Sequence, residues 1–534
     1  MLDGCRRTPQ RNQQSDDHPH TQRSAVGAGD LGCLFDDEAS QPVGQTGEAV
    51  VQLVGHIDWV RRQPVHRDEG SERREQSEEP EEGDAGGRDG NDVLFEAVAQ
   101  LGDERSQVAH LWMSTNNQPR RRRRQRQVVP AGHTEEGVGT DENHPGERYL
   151  MGATHEELVD RAREVAPSIA RRAQATEAAR QPLDETIAEL IDAELFSILV
   201  PKRWGGHQAS IHTHRVVTEI ISEACVSTGW NFAFYSGHNW MAVKYPEQTQ
   251  EELFADKGYA LIPVTTAPAL TVEPADGGMS ISGRVPWGSG IVHAEWACIG
   301  GAAADGTRYQ FIVPVEDTRM VDTWHMSAMA GTGSHDFDLD GAFVPEHRIL
   351  HAVDYRNGDT PGARLHGDPQ YLMPILPFIY CETMGIFAGA MRGAYTAFEE
   401  IVTQRVRTHS GAALVDSKYS HVKLGEAAAA VDITDRLVAD ITQEAIDIAD
   451  AGAFTMQDRV RLKARAGFIV DHCRRAVNDI IHHSGSSNFD LSSPVQRFFR
   501  DLNMLATHAF YEWDTCRELL GRDRLGLEPN NPLV

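Results

Sequence analysis

Beyond position 150 the chain switches between two hydrophobic periods. THEELVDRAREVAPSIARRAQATEAARQ (154–181) sets Leu158, Ala162, Val165 and Ile169 at helical spacing, and Thr154 with Glu157 has the form of a capping box. LDETIAELIDAELFSILV (183–200) predicts a second helix running into an apolar end and the turn PKRWGG, and SIHTHRVVTEIISEACVSTGW (210–230) predicts a third. After about residue 259 the period changes. LIPVTTA, MSISGRVPW, AEWACIGGAA, RYQFIVPV and DFDLDGAFVP are short β-rich runs punctuated by Gly, Asp and Pro. From about Pro377 four long helical stretches are predicted, at 378–406, 417–451, 456–483 and 494–520, and the Ala-rich apolar face of the second suits a bundle. The expected class is α+β, with an N-terminal helical domain (151–258), a central β domain (259–376) and a C-terminal four-helix bundle (377–534).

Residues 1–150 differ in kind. SERREQSEEPEEGDAGGRDGND (71–92) is charge, Gly and Gln with almost nothing to bury, which is the composition of disorder. AVVQLVGHIDWV (49–60) is apolar but shows no period sustained over a domain's length. The arginine run PRRRRRQRQ (119–127) has no interleaved aromatics, so a solvated segment is expected in preference to a nucleic-acid patch. The extension is therefore expected to be disordered, or absent from a native protein that starts at Met151, and an intact mass would decide between the two.

Charge and cysteine content narrow the class. A net charge of −28 over 534 residues disfavours a phosphate-backbone partner. Seven cysteines stand singly, with no CxxC pair, and read as free thiols in a reducing compartment, with neither a zinc site nor a disulfide framework. The first twenty residues hold no apolar h-region, and no run of about 18 apolar residues occurs. A cytoplasmic protein without metal, membrane or nucleic acid is expected.

Candidate chemistry sits in a few stretches. In PVQRFFRDLNMLATH (494–508) an amphipathic helix carries Arg500-Asp501 and then His508, whose imidazole titrates near neutral pH. VPWGSGIVHAEW (285–296) offers Trp287, Gly288 and Ser289 as a tight loop at a strand end, where backbone N–H groups and a hydroxyl can face a planar ligand. His293 nearby reads as structural. STGWNFAFYSGHNW (227–240) is a helix rich in aromatics, with Trp230 and His238 on it. GTGSHD (331–336) departs from GxGxxG spacing and precedes a strand, which argues against a dinucleotide phosphate loop.

These stretches, together with RAQATEAARQPLDETIAELIDAELFSILVPKRWGG, DGGMSISGRVPWGSGIVHAEW and GTGSHDFDLDGAFVPEHR, resemble the acyl-CoA dehydrogenase fold over 151–534. More closely they are similar to the oxygenase components of two-component flavin-dependent monooxygenases, such as the steroid-phenol and 4-hydroxyphenylacetate hydroxylases. In acyl-CoA dehydrogenases an RD pair in this helix is commonly followed, eight residues after the Asp, by a catalytic glutamate; that position is Ala509 here. The resemblance implies that His508 faces the flavin and the bound phenol, as general base or hydroperoxide contact. It also implies that Ser289 lies at the flavin N5 edge and that His238 walls the substrate pocket. Flavin contacts are implied for Trp230, Val264, Thr265, Thr266, Trp287, Gly288, Ser289, His508 and Ala509. Arg407 is implied to reach the flavin phosphate across a subunit interface, a task that suits a guanidinium, and Ser486 and Ser487 of the SGSSN loop offer hydroxyl and N–H donors to the same flavin.

The resemblance thus implies reduced FMN or FAD as co-substrate, delivered by a partner NAD(P)H:flavin reductase, and O2. A small aromatic, phenolic or polycyclic, would be hydroxylated through a C4a-hydroperoxyflavin in a homotetramer. Tyr235, His238 and Tyr371 are expected to line the substrate pocket. The alternative enzyme is an acyl-CoA dehydrogenase-like flavoprotein oxidising an acyl thioester. A non-enzymatic scaffold that binds nucleic acid through its N-terminal arginines is the remaining reading.

Overall fold

The computed structural model describes residues 152–534, so the expectations placed on 1–150, and on Met151 as a start, lie outside the described residues. Helix α1 (His155–Ala179) opens on the expected capping box, with the Thr154 hydroxyl on Glu157 N and the Glu157 carboxylate on Thr154 N. Helix α2 is shorter than its sequence pattern, Asp184–Asp192. The apolar run Leu195–Val200 is buried throughout, and one continuous helix would carry part of that run into solvent. The predicted helix 210–230 is two helices, α3 (Ile211–Ala224) and α4 (Val226–Ala242), divided by Cys225 in extended conformation at φ −160. Helix α5 (Glu247–Phe254) ends the first layer.

Seven strands follow: β1 (Val264–Ala275), β2 (Gly278–Gly288), β3 (Trp296–Ala303), β4 (Arg308–Pro314), β5 (Arg319–Val321), β6 (His335–Pro345) and β7 (Ile349–His351). They form one sheet in the order β5-β6-β2-β1-β3-β4-β7. The β1–β3 pair is parallel and the others are antiparallel. The ladder shifts register around Thr265–Leu270 in β1, and in β2 both between Ile281 and Gly283 and between Val285 and Gly288. Such bulges turn side chains off the pleat.

After three short helical segments the bundle begins with α6 (Ile375–Gln404), buried almost continuously from Ile375 to Ala394. It is apolar all round because it is packed on all sides. A Cβ on Gly389 would overlap Glu219 O, so the glycine lets α6 lie directly on α3. Arg392 of α6 binds Glu219 of α3 and Asp435 of α7 (Lys418–Ala451), tying the three helices together through charge. Helix α8 (Met456–Ser484) is followed by a correction: the predicted helix 494–520 is broken into α9 (Pro494–Leu505) and α10 (Trp513–Arg524). Tyr511 is drawn into the core, with its hydroxyl 2.5 Å from Thr383 Oγ1, and Glu512 restarts the chain by capping Asp514 N and Thr515 N. His508 therefore stands in a turn, not on a helix face. Among the described residues no helix is long and apolar enough to cross a membrane.

Candidate active site

A cavity of about 470 Å³ lies where α4, the bulged ends of β1 and β2, the loop between β5 and β6, α6 and the turn after α9 meet. That volume suits a small-molecule site. Helix α4 presents Trp230, Phe234, His238 and Met241 along one face, at helical spacing. The bulge in β1 turns Thr265, Thr266 and Ala267 toward the cavity, and the bulge in β2 does the same for Pro286 and Trp287. Trp287 holds φ 66, is 55% exposed and meets Trp324 edge to face at the cavity wall.

Ser289 belongs to a hydrogen-bonded chain whose direction is determined. The Thr332 hydroxyl donates to Met329 O (2.9 Å), so at its 2.7 Å contact with Ser334 it accepts. Ser334 has then spent its proton, and Ser289 donates to it at 2.9 Å. Ser289 Oγ also accepts Trp230 Nε1–H at 3.1 Å. One lone pair remains on Ser289 for the cavity. The loop that carries this chain is anchored from below, because the buried Asp501 carboxyl accepts Met329 N–H at 2.6 Å.

The two cavity histidines carry their protons on opposite ring atoms. His238 Nδ1 donates to Ile262 O at 2.6 Å, which leaves Nε2 a bare acceptor. His508 Nδ1 accepts Phe510 N–H at 3.3 Å, so Nε2 bears the hydrogen and is a donor. Burial lowers the pKa of His238 to about 3. For His508 burial, with the Lys463 charge added, lowers it to about 4. Both are neutral at pH 7. His508 also packs edge-on to Trp230, ring centres 5.9 Å apart.

Of the residues singled out in the sequence, Trp230, His238, Val264, Thr265, Thr266, Trp287, Ser289, His508 and Ala509 come together around this cavity. Gly288 is adjacent but faces Phe337, where a Cβ would lie 2.8 Å from the ring. Arg407, Ser486 and Ser487 are exposed and lie outside the cavity lining of their own chain; Arg407 donates to Ser417 Oγ at 3.3 Å. The arginine against the SGSSN loop is Arg405, which donates to Ser484 O at 2.5 Å. Two pocket expectations are corrected. Tyr235 is spent on Gly290 O behind the β2 turn, and the Tyr371 hydroxyl donates to Leu199 O at 3.0 Å; neither lines the cavity.

Sequence reasoning missed Thr332 and Ser334, since GTGSHD was weighed only as a phosphate loop. It also missed Glu382, a lone carboxyl in the apolar run ILPFIYCETMGIFAGAM (375–391), and that isolation was the available signal. A flavin fits the donor set. Thr265 Oγ1 is buried without a partner among the described residues, and Ser289 has its free lone pair, so a planar ring with a polar edge can be held between them.

The chain's relatives show its family. Residues 152–254 match the acyl-CoA dehydrogenase N-terminal domain and residues 384–513 the acyl-CoA dehydrogenase C-terminal domain. The chain is 38% identical over 388 residues to a pigment production hydroxylase of Rhodococcus sp. (strain ATCC 21145), spanning 72% of this chain and 100% of that one. It is 32% identical over 391 residues to the oxygenase component of an FADH(2)-dependent resorcinol hydroxylase of Rhizobium sp. (strain MTP-10005), spanning 70% of this chain and 95% of the other. Among solved structures, XiaF from Streptomyces sp., in complex with FADH2 and glycerol, superposes with a TM-score of 0.67 at 29% identity, covering 71% of this chain and 97% of XiaF. The chain belongs to the oxygenase components of flavin-dependent monooxygenases, hydroxylases built on the acyl-CoA dehydrogenase fold.

Proposed function

We propose that this monooxygenase hydroxylates a phenolic ring whose hydroxyl is held by His238, with reduced FMN or FAD delivered by a separate NAD(P)H:flavin reductase. Reduced flavin, when bound, supplies the two electrons with which O2 becomes an electrophilic oxygen donor. The single observation carrying the reading is the directed chain at Ser289. Its remaining lone pair is an acceptor, and the N5–H of a reduced flavin is a donor, so Ser289 Oγ would hold that hydrogen in place. His508 Nε2–H, joined to Ser289 through Trp230, is placed to donate to oxygen at the same end of the cavity.

Further along α4 the bare Nε2 of His238 accepts the phenol O–H and draws electron density into the ring that is to be attacked. In this reading the phenol is polarised by a hydrogen bond to the neutral His238, where the sequence led to the expectation of His508 as general base. A ring C–H is replaced by C–OH, and the second oxygen atom leaves as water. Trp230, Phe234, Trp287 and Trp324 exclude solvent from the reacting atoms.

Thioester oxidation needs a carboxylate base. Ala509 has none, and burial raises the Glu382 carboxyl well above the ordinary carboxylate range. A homotetramer sharing the flavin between subunits is part of the proposal. Exposed apolar residues on the bundle helices support it, among them Tyr419, Val422, Ile433 and Phe468, as does the position of Arg407 outside its own chain's cavity lining. A cytoplasmic location fits the five described cysteines, all free and buried.

The test mixes the full chain with chemically reduced FMN or FAD, O2 and a phenol, and repeats it with Ser289→Ala. Hydroxylated product without NADH is expected. Ser289→Ala is expected to divert at least about tenfold more O2 to free peroxide per product, the scale of one lost hydrogen bond. Dehydrogenation of an acyl thioester with phenols untouched would overturn the reading.

A further inference from the structure

The reaction as described leaves one cavity group unused. Glu382 has 0% exposure, lines the cavity, and neither of its carboxyl oxygens has a protein partner among the described residues. Its neighbours do not compete for it: Thr383 and Tyr511 are bound to each other. The niche is built for it. A Cβ on Gly237 would overlap Glu382 Oε1, so α4 carries a glycine at the one point where the carboxyl must pass. Burying such a group without a partner costs stability, and unpaired polar groups in a cavity discriminate strongly between ligands that pair them and ligands that do not.

Its place in the cavity follows from α4. Ser289 is held by Trp230, and Glu382 lies against Gly237, seven residues further along and so about 10 Å of helix rise away. Phe234 and His238 wall the space between. The cavity thus has two polar ends with an aromatic waist. No lysine or arginine is among the residues that line it, so an anionic substituent would be desolvated there without a counter-charge.

We propose that Glu382 holds the end of the substrate remote from the flavin, and that the substrate is accordingly an uncharged phenol bearing a second hydroxyl or carbonyl group at that end. This rests on the aromatic-hydroxylase reading above and names the substrate class within it. With its proton retained, Glu382 donates to a carbonyl or hydroxyl oxygen and accepts from a hydroxyl, tasks that an ionised carboxylate could not all perform.

The experiment is calorimetric binding to the full-length protein under anaerobic conditions with reduced FMN present. The three probes are 2-naphthol, 2,6-dihydroxynaphthalene and 6-hydroxy-2-naphthoate. The diol is expected to bind about tenfold or more tighter than the mono-ol, and the naphthoate more weakly than either. Glu382→Gln keeps a donor and an acceptor and should keep the preference. Glu382→Leu should abolish it while the Tm stays equal or rises, since an unpartnered buried carboxyl is removed; a purely structural glutamate would lower the Tm instead. Gly237→Ala, which displaces the same carboxyl from the α4 side, should lose the preference too. Absence of the preference in the native protein, its survival in Glu382→Leu, tightest binding of the naphthoate, or binding of none of the three overturns the proposal. Turnover of the same ligands with O2 is scored separately. Intact binding preferences with no hydroxylated product would overturn the hydroxylase reading and leave the role of Glu382 standing.

Discussion

Asp501 is the place where the site's geometry can be tested through stability alone. It is 2% exposed and accepts Met329 N–H, fastening the loop that orients Ser334 and hence Ser289. Burial raises its pKa from the ordinary 3.8 to about 6, against the opposing pull of the Met329 bond and of Arg500 and Arg497. The gap of about two units corresponds to about 3 kcal/mol at ~1.36 kcal/mol per unit. The native state holds this proton more tightly than the unfolded chain, so the contribution is complete below about pH 4 and is lost as pH rises through about 6.

Asp501→Asn has nearly the same shape, keeps a carbonyl acceptor for Met329 N–H and cannot ionise. It should match the native protein near pH 4 and exceed it by up to about 3 kcal/mol near pH 8. Asp501→Ala instead leaves Met329 N–H buried and unpaired, at a cost of about 1–3 kcal/mol relative to Asp501→Asn at every pH. The assay is urea unfolding of the three proteins across that pH range. A difference between Asn and Asp that does not change with pH, or that grows toward acid, would refute the reasoning.

Two other outcomes follow from the hydrogen-bond directions. Ser334→Ala removes the acceptor of the Ser289 hydroxyl and lets its proton turn into the cavity, so peroxide release per product should rise to a level between native and Ser289→Ala, read by oxygen uptake against product. His508→Leu should lower kcat/KM by roughly 10- to 100-fold, the range of a hydrogen bond to developing charge, whereas His508→Gln, which keeps an N–H donor, should recover most of it; equal loss in both would refute a donor role.

Much of the cavity's lining was readable before any fold was known. His508, Ser289, Trp230 and His238 stand in short stretches whose residue types and order carry the family resemblance, and all four reach one cavity. The loop partners were not readable. Thr332 and Ser334 matter only because the chain between β5 and β6 passes the end of β2, a contact between segments about 45 residues apart in sequence. The phosphate residues fared differently: Arg407, Ser486 and Ser487 remain exposed and outside the cavity lining of a single chain.

By itself the sequence determined what local periodicity and residue chemistry can decide: helices, then strands, then a bundle, an RD-bearing amphipathic helix, and no carboxylate at Ala509. Where elements stop was decided by packing. Cys225 divides a continuous helical pattern, and burial of Tyr511 ends α9 early and turns His508 out of a helix into the cavity wall. Tertiary structure alone also decided the proton positions. The residue type of His238 and His508 is the same, but Ile262 O makes one an acceptor and Phe510 N–H makes the other a donor. Hydrogen-bond direction depends on which backbone group lies opposite a side chain, and no periodicity along the chain carries that information.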